Sequence, residues 1–437
     1  MNQTVIQVRS LLLALLTGII TGLIVGALRI GIQMIAHFNF DLLLASQTSF
    51  KSGLIFCGVF LALALFAGYC VSREPNIGGS GIPQVAGQIS GQLHQKWYRV
   101  LFFKFFGGLA TIGSGLTLGR EGPSVQIGAT IGQGIGQISN SSRRLTNALI
   151  AGAAGGGLAA AFNAPLSGLI FIVEELYHRT GRNLFLYGGL TVISAAITAN
   201  KLLGINPSIP IPRFIDFDVP NLFLSIILGC IIGFSGVLFN YLIIHGKMVY
   251  GKWQVPAWAK ALLPFAVTAC FLFLDLRLYG SGDELIQFPF GHNESLLTLI
   301  YLYLVKLILL VLAFCSGIPG GIFFPLLAIG SLVGNIYGSF LHEIGTVSAE
   351  VIPYFAVLAM SSHFSAIVRA PLTGIILIAE MTGASLPWLL PIIIASYTAH
   401  IVADFLGSPP IYTSLLDLLL QDRKASQLSE SIKSEGA

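Results

Sequence analysis

Gly119-Arg120-Glu121-Gly122-Pro123 places two opposite charges in the middle of a stretch that otherwise belongs in a bilayer. Upstream, Leu101 to Leu118 is apolar and glycine-rich apart from Lys104; downstream, Ser124 to Ile138 carries no charge. An ionisable side chain at bilayer depth costs about 2.5–3.5 kcal/mol on insertion scales, so it is rarely kept without a task. The flanking Gly and Pro predict a helix broken inside the membrane, with Pro123 in the first turn of a new helix. A helix that starts there aims unpaired N–H groups and about half a positive charge at its own mouth. The pattern predicts an anion site with the Glu121 carboxylate in it.

The rest of the chain supplies the membrane. Of its 437 residues, 54% are hydrophobic and only 10% charged, against about 25% charged in soluble domains. Mean hydropathy is +0.82. Apolar segments cover about 10–37, 53–72, 100–118, 124–138, 146–177, 184–205, 221–245, 259–280, 294–316, 320–341, 351–381 and 386–406. Several are too short or too interrupted to span, which predicts partial helices meeting in mid-membrane. The run Leu11 to Ile35 is too long for a signal peptide and lacks an A-x-A-like site, so it reads as the first membrane helix. The fifty glycines suit close helix packing, and Gly128, Gly132 and Gly136 form a small-residue stripe of that kind. A net charge of +4 with no basic block gives no sign of nucleic-acid binding. Cys57, Cys70, Cys230, Cys270 and Cys315 lack paired spacing, and His37, His245 and His400 lack ligand-spaced partners, so neither disulfides nor a metal site is expected, and no cofactor. Lys104 and Lys306 read as structural, satisfying helix ends or carboxylates.

The sequence also repeats. At an offset of 202, Lys104 meets Lys306, Ser114 meets Ser316, Gly115 meets Gly317, Gly119 meets Gly321, Pro123 meets Pro325, Gly128 meets Gly330 and Gly132 meets Gly334. At an offset of 206, NAPLSGLIFIVE (163–174) meets RAPLTGIILIAE (369–380). Chance likeness between apolar segments yields Leu and Ile matches, not aligned Gly, Pro, Lys and Glu. The expectation is an all-α polytopic membrane protein of two homologous halves, 10–205 and 221–420. An N-terminal cytoplasmic segment 1–9, a linker 206–220 and a polar tail 421–437 complete the chain. Such halves commonly have inverted topology, with substrate held between them by broken helices. Gly317-Ile318-Pro319-Gly320-Gly321-Ile322-Phe323-Phe324-Pro325 is then a second broken-helix mouth aimed at the same locus.

GSGIP (79–83), GREGP (119–123), GGIFFP (320–325) and the late Tyr412, in this order and spacing, resemble the CLC family of chloride channels and chloride/proton exchangers over nearly the whole chain. The likeness is to prokaryotic exchangers without cytoplasmic regulatory domains. It implies an inverted-repeat helical fold, a homodimer with one pore per subunit, and multi-pass residence in an inner or plasma membrane. It implies chloride and protons as the ions moved, and no enzymatic activity. By the same resemblance, Ser80 and Tyr412 give hydroxyls to a central chloride. Backbone amides of Ile322 and Phe323 complete that site, and amides around Gly119, Arg120 and Gly122 form an external one. Neutral donors suit a halide that must also be released. Glu121 becomes the external gate and proton acceptor, Glu175 the internal proton-transfer residue, and Glu174 its neighbour on the proton path. Glu174 has a repeat counterpart in Glu380, whereas Glu175 faces Met381.

Departures and rivals are also visible. Many exchangers read GSGIPE, whereas here Gln84 follows Pro83 and Ala86 follows Val85, so nearby carboxylates are missing. Ser80 in place of Pro argues against the nitrate-selective type, and Ser80 with Tyr412 against the fluoride-exporting branch. A plain Arg120–Glu121 salt bridge is the structural alternative to a gate. A passive chloride channel is the functional rival within the family. Gly78-Gly79-Ser80-Gly81 also fits the GxSG of intramembrane serine hydrolases, but no His stands in a motif to serve Ser80 as base. His342-Glu343 begins an HExxH-like string that Thr346 breaks.

Overall fold

Asn163 and Arg369 decide where two long apolar runs break. Both adopt left-handed backbone, φ +60° and +70°, and each is followed two residues later by a proline that opens the next helix, Pro165 and Pro371. Positive φ ends a helix and a proline at N1 starts one without wasting a donor. The runs 146–177 and 351–381, continuous in hydropathy, are therefore each two helices. The repeat register relates the two breaks.

The computed structural model describes residues 3–177, 181, 184–204, 208–209, 219–291, 294–384 and 386–435. Eight α-helices form the first half: α1 (Gln3–Ser46), α2 (Phe50–Arg73), α3 (Ile82–Ile89), α4 (Trp97–Gly113), α5 (Glu121–Ile138), α6 (Arg143–Phe162), α7 (Pro165–Phe171) and α8 (Gly189–Leu203). π-helical turns Ile172–Tyr177 and Leu184–Gly188 lie between the last two. Eight more follow in matching order: α9 (Val219–Lys252), α10 (Ala257–Leu274), α11 (Asp283–Gln287), α12 (Leu296–Cys315), α13 (Phe323–Glu343), α14 (Ile352–Val368), α15 (Pro371–Thr382) and α16 (Leu386–Phe405). α17 (Ile411–Glu435) has no counterpart. Ten helical stretches among the described residues are long and apolar enough to cross a membrane, so this is a multi-pass membrane fold.

Packing repeats as well. α5 lies along α6 and α13 along α14; α1 lies along α8 and α9 along α16. Gly128 and Gly157 show why glycine recurs: a Cβ on Gly128 would strike the Ala153 carbonyl, and one on Gly157 the Ser124 carbonyl. The backbones of α5 and α6 touch directly, as the small-residue stripe predicted. Burial separates centre from rim, with 83% of the most apolar window of α6 and of α14 buried against 28% for α10.

Contacts between the halves are reciprocal. Gly119 and Gly321 exchange both backbone hydrogen bonds at 2.7 Å in an antiparallel bridge, although each is the other's repeat counterpart. Glu174 accepts from the Leu372 and Thr373 amides at 3.1 and 2.7 Å and from Thr373 Oγ1 at 2.7 Å. Glu380 accepts from the Leu166 and Ser167 amides at 2.9 and 2.8 Å and from Ser167 Oγ at 2.5 Å. When i meets j and j's twin meets i's twin, a local two-fold axis runs between the halves. The architecture is all-α, with two inverted-topology halves joined across that axis.

Helical structure extends into both end segments. α1 already begins at Gln3, so residues 3–9 belong to the first long helix. The tail 421–437 continues α17 as far as Glu435, because the polar residues there are good helix formers that hydropathy alone ignores. Most of the linker 206–220 lies outside the described residues. Within it, Ser208 Oγ donates to the Phe162 carbonyl at 2.6 Å and the Ile209 amide to the Met381 carbonyl at 2.9 Å.

Candidate functional site

Two helix N-termini converge where the Gly119–Gly321 bridge holds the halves together. α5 begins at Glu121 and α13 at Phe323, and each carries a proline at its third residue, Pro123 and Pro325. The amides of Arg120, Glu121 and Gly122, and those of Ile322, Phe323 and Phe324, donate to no backbone carbonyl among the described residues. Every one of these residues except Arg120 is buried. Donors free of backbone carbonyls on two helix ends, those of Glu121 and Phe324 turned to the Glu121 carboxylate, make a concave, positively polarised site.

Glu121 occupies that site. Its side chain is 1% exposed and 3.9 Å from Arg120 Nε, a loose ion pair beyond hydrogen-bond reach. Oε2 has no hydrogen-bond partner among the described residues. A Cβ built on Gly119 would overlap that oxygen, and would stand 3.1 Å from Pro325 Cδ and 3.2 Å from Phe324 Cβ. The carboxylate thus folds back over Gly119 against the first turn of α13. Glycine is required there because any side chain would compete for the space the carboxylate fills.

Ser80 joins from the other side. It is 2% exposed, its Oγ accepts from the Ile82 amide at 3.3 Å, and a Cβ on Gly122 would come within 2.7 Å of Ser80 Cβ. The turn carrying it is shaped by Gly79 and Gly81 at φ +66° and +89°. Lys104 pins that turn, its Nζ donating to the Ile77 and Gly79 carbonyls at 2.7 Å each. The sequence reading missed that this turn has a twin. Gly280-Ser281-Gly282 repeats Gly79-Ser80-Gly81 at an offset of 201, with φ +68° and +106° at its glycines. Lys306 holds it in the same way, donating to the Leu278 and Gly280 carbonyls at 2.8 and 2.6 Å. Both lysines are structural, as expected, and both bind carbonyls rather than carboxylates.

Tyr412, the second residue of α17, is 2% exposed and its hydroxyl has no partner among the described residues. α17 packs on α3, and α3 also touches α5 and the π-helical turn that carries Glu175. Glu175 is 7% exposed. The structure therefore brings Ser80, Glu121, Gly119, Gly122, Ile322 and Phe323 to one locus, with the helix of Tyr412 and the turn of Glu175 linked to it through α3. Glu174, next to Glu175 in the chain, reaches across to the other half. Its carboxylate caps α15, and the signal for that was present in the repeat, since Glu380 caps α7 identically.

Two cavities reach this locus. One of about 410 Å³ is lined by Ser80, Gly79, Gln84, Phe314, Lys247 and Leu415 among others. A second, of about 340 Å³, is lined by Arg120, His37, Tyr279, Ser281, Asp283 and Glu284 among others. His363 is a further residue that sequence gave no reason to notice. It is fully buried and its Nδ1 donates to the Leu326 carbonyl of α13 at 2.7 Å.

Comparisons with known proteins place the chain in a family. A family model for the voltage gated chloride channel matches residues 58–404. The H(+)/Cl(−) exchange transporter ClcA of Vibrio cholerae serotype O1 is 36% identical over 408 residues, covering 91% of this chain and 86% of that protein. The protein of the same name from Citrobacter koseri is 35% identical over 409 residues, covering 89% and 84%. The crystal structure of a slow cyanobacterial Cl−/H+ antiporter superposes with a TM-score of 0.89 at 29% identity, covering 94% of this chain and 98% of that one. A CLC-type fluoride/proton antiporter shares the fold at a TM-score of 0.77 and 22% identity, covering 95% and 99%. This chain belongs to the CLC family of voltage gated chloride channels and transporters.

Proposed function

We propose that this protein is a chloride/proton antiporter of the inner or plasma membrane, working as a homodimer with one pore per subunit. The observation that carries the reading is Glu121: a buried carboxylate with an unpartnered oxygen, lodged between two helix N-termini that suit a halide equally well. A carboxylate and chloride are both anions of similar demand, so they compete for the same amides. When Glu121 is ionised it fills the site and closes it. When it takes a proton it loses its claim on the amides, swings out, and chloride moves in. Each proton bound thereby exchanges for anion occupancy, which is the core of coupling.

In this reading chloride sits between the Ser80 hydroxyl, the Tyr412 phenol and the Ile322 and Phe323 amides, all neutral donors that bind without trapping. The orphan Tyr412 hydroxyl supports the assignment, since a buried hydroxyl without a protein partner is uncommon. Amides of Gly119, Arg120 and Gly122 form the outer position that Glu121 vacates. Glu175 passes protons on the inner side, with Glu174 its neighbour on the proton path. The test is direct. In proteoliposomes, a chloride gradient should drive protons uphill. Chloride flux whose reversal potential ignores an imposed pH gradient would make the protein a passive channel instead.

A further inference from the structure

The twin turns at Ser80 and Ser281 each border a cavity, and the two cavities are themselves repeat counterparts. The first is formed by the Gly78–Ser80 turn, α9 and Phe314 of α12; the second by the Tyr279–Ser281 turn, α1 and Ile112 of α4. Ile112 and Phe314 lie 202 residues apart, the offset of the repeat itself. Inverted halves send such counterparts to opposite membrane faces. The backbones agree, but the charges do not.

The Ser80 mouth holds Lys247 and Lys252 against the single carboxylate of Asp422. Lys247 Nζ stands 5.0 Å above the Phe314 ring, and that ring packs on Gly79, 3.5 Å from where a Cβ would lie. Lys247 lies within electrostatic reach of Asp422. The Ser281 mouth holds Asp283 and Glu284 against the single guanidinium of Arg120, with His37 facing them from α1 and Tyr279 beside them. Lys306 lies beneath this turn with its ammonium committed to two carbonyls. Ser281 is not available to an anion as Ser80 is, because its Oγ donates to Asp283 Oδ2 at 2.6 Å.

We propose that the two mouths are electrostatically sorted: Lys247 concentrates chloride at the Ser80 mouth, while Asp283 and Glu284 disfavour chloride and favour protons at the Ser281 mouth. The inference builds on the antiport reading and assigns three residues to side-specific anion affinity. One unit charge about 6 Å from an ion in an aqueous mouth changes the local anion concentration about threefold. The effect is screened by salt.

The experiment measures chloride uptake in right-side-out and inside-out membrane vesicles, as KM and kcat on each face. Lys247→Gln should raise KM about threefold on the Ser80 face alone, with kcat unchanged. Asp283→Asn with Glu284→Gln should lower KM severalfold on the Ser281 face alone. Both effects should fade when inert salt is added, which loss of packing would not do. Lys247→Arg should restore the wild-type value. Equal KM changes on both faces, changes indifferent to ionic strength, or an unchanged KM would each overturn the sorting. These readouts need only chloride movement, so failure of uphill proton transport would count against antiport and leave this result to be judged separately.

Discussion

The reciprocal glutamates allow a prediction whose symmetry is its strength. Glu174→Ala removes three hydrogen bonds to a carboxylate at the start of α15. The groups left behind are unequal. Leu372 is 48% exposed, whereas Thr373 is fully buried and its amide and hydroxyl are stranded. A buried donor left unpaired costs about 1–3 kcal/mol, and losing a helix N-cap costs about 0.5–2 kcal/mol. The two ranges overlap at about 1–2 kcal/mol. At roughly 2 °C per kcal/mol for a large domain, the midpoint of thermal unfolding in detergent should fall by about 3 °C. Glu380→Ala strands the same groups on α7, with Leu166 at 50% exposure and Ser167 fully buried. It should therefore cost the same amount. A large loss for one variant with none for the other would refute the idea that the two carboxylates form one clasp across the two-fold axis.

Three further outcomes follow from the site. Glu121→Gln should abolish proton transport and leave chloride permeation insensitive to external pH, because a neutral amide cannot compete as an anion; proton coupling that survived would remove Glu121 from the mechanism. Glu175→Gln should also stop protons in the liposome assay, yet keep chloride flux and its response to external pH. Tyr412→Phe removes a hydroxyl that has no partner among the described residues, so calorimetric chloride affinity should fall about two- to tenfold for one net hydrogen bond, with thermal stability unchanged. Lost stability with intact affinity would place the anion elsewhere.

Much of the scaffold was legible because backbone needs are written in few residue types. Gly119, Pro123, Lys104 and their counterparts Gly321, Pro325 and Lys306 told of two broken helices, and the structure has both. Hydropathy misjudged what it cannot weigh. It joined α6 to α7 and α14 to α15, since Asn163 and Arg369 break the chain by φ rather than by polarity. It stopped at residue 421, where α17 continues on helix propensity. The cap that Glu174 makes was not legible from its adjacency to Glu175, because its partners lie about 200 residues away. The twin turn 280–282 was overlooked because Leu278 and Gly280 sit at an offset of 201, one short of the register that aligned the helices.

Repeat symmetry itself separates scaffold from machinery. Two equivalent halves about a two-fold axis would by themselves build a pore alike from both faces, which cannot couple a proton to an anion in different places. Asymmetry has to come from side chains that break the repeat. Residues that hold the backbone keep it: Lys104 with Lys306, Glu174 with Glu380, Gly119 with Gly321. Those proposed for exchange depart from it. Glu121 stands opposite Phe323, Glu175 opposite Met381, and Tyr412 lies on α17, the helix without a counterpart. Ser80 is the instructive exception, since its twin Ser281 is chemically identical. There the symmetry is broken one step further out, by Asp283, which takes the twin's hydroxyl and leaves only one of the two serines free for a halide.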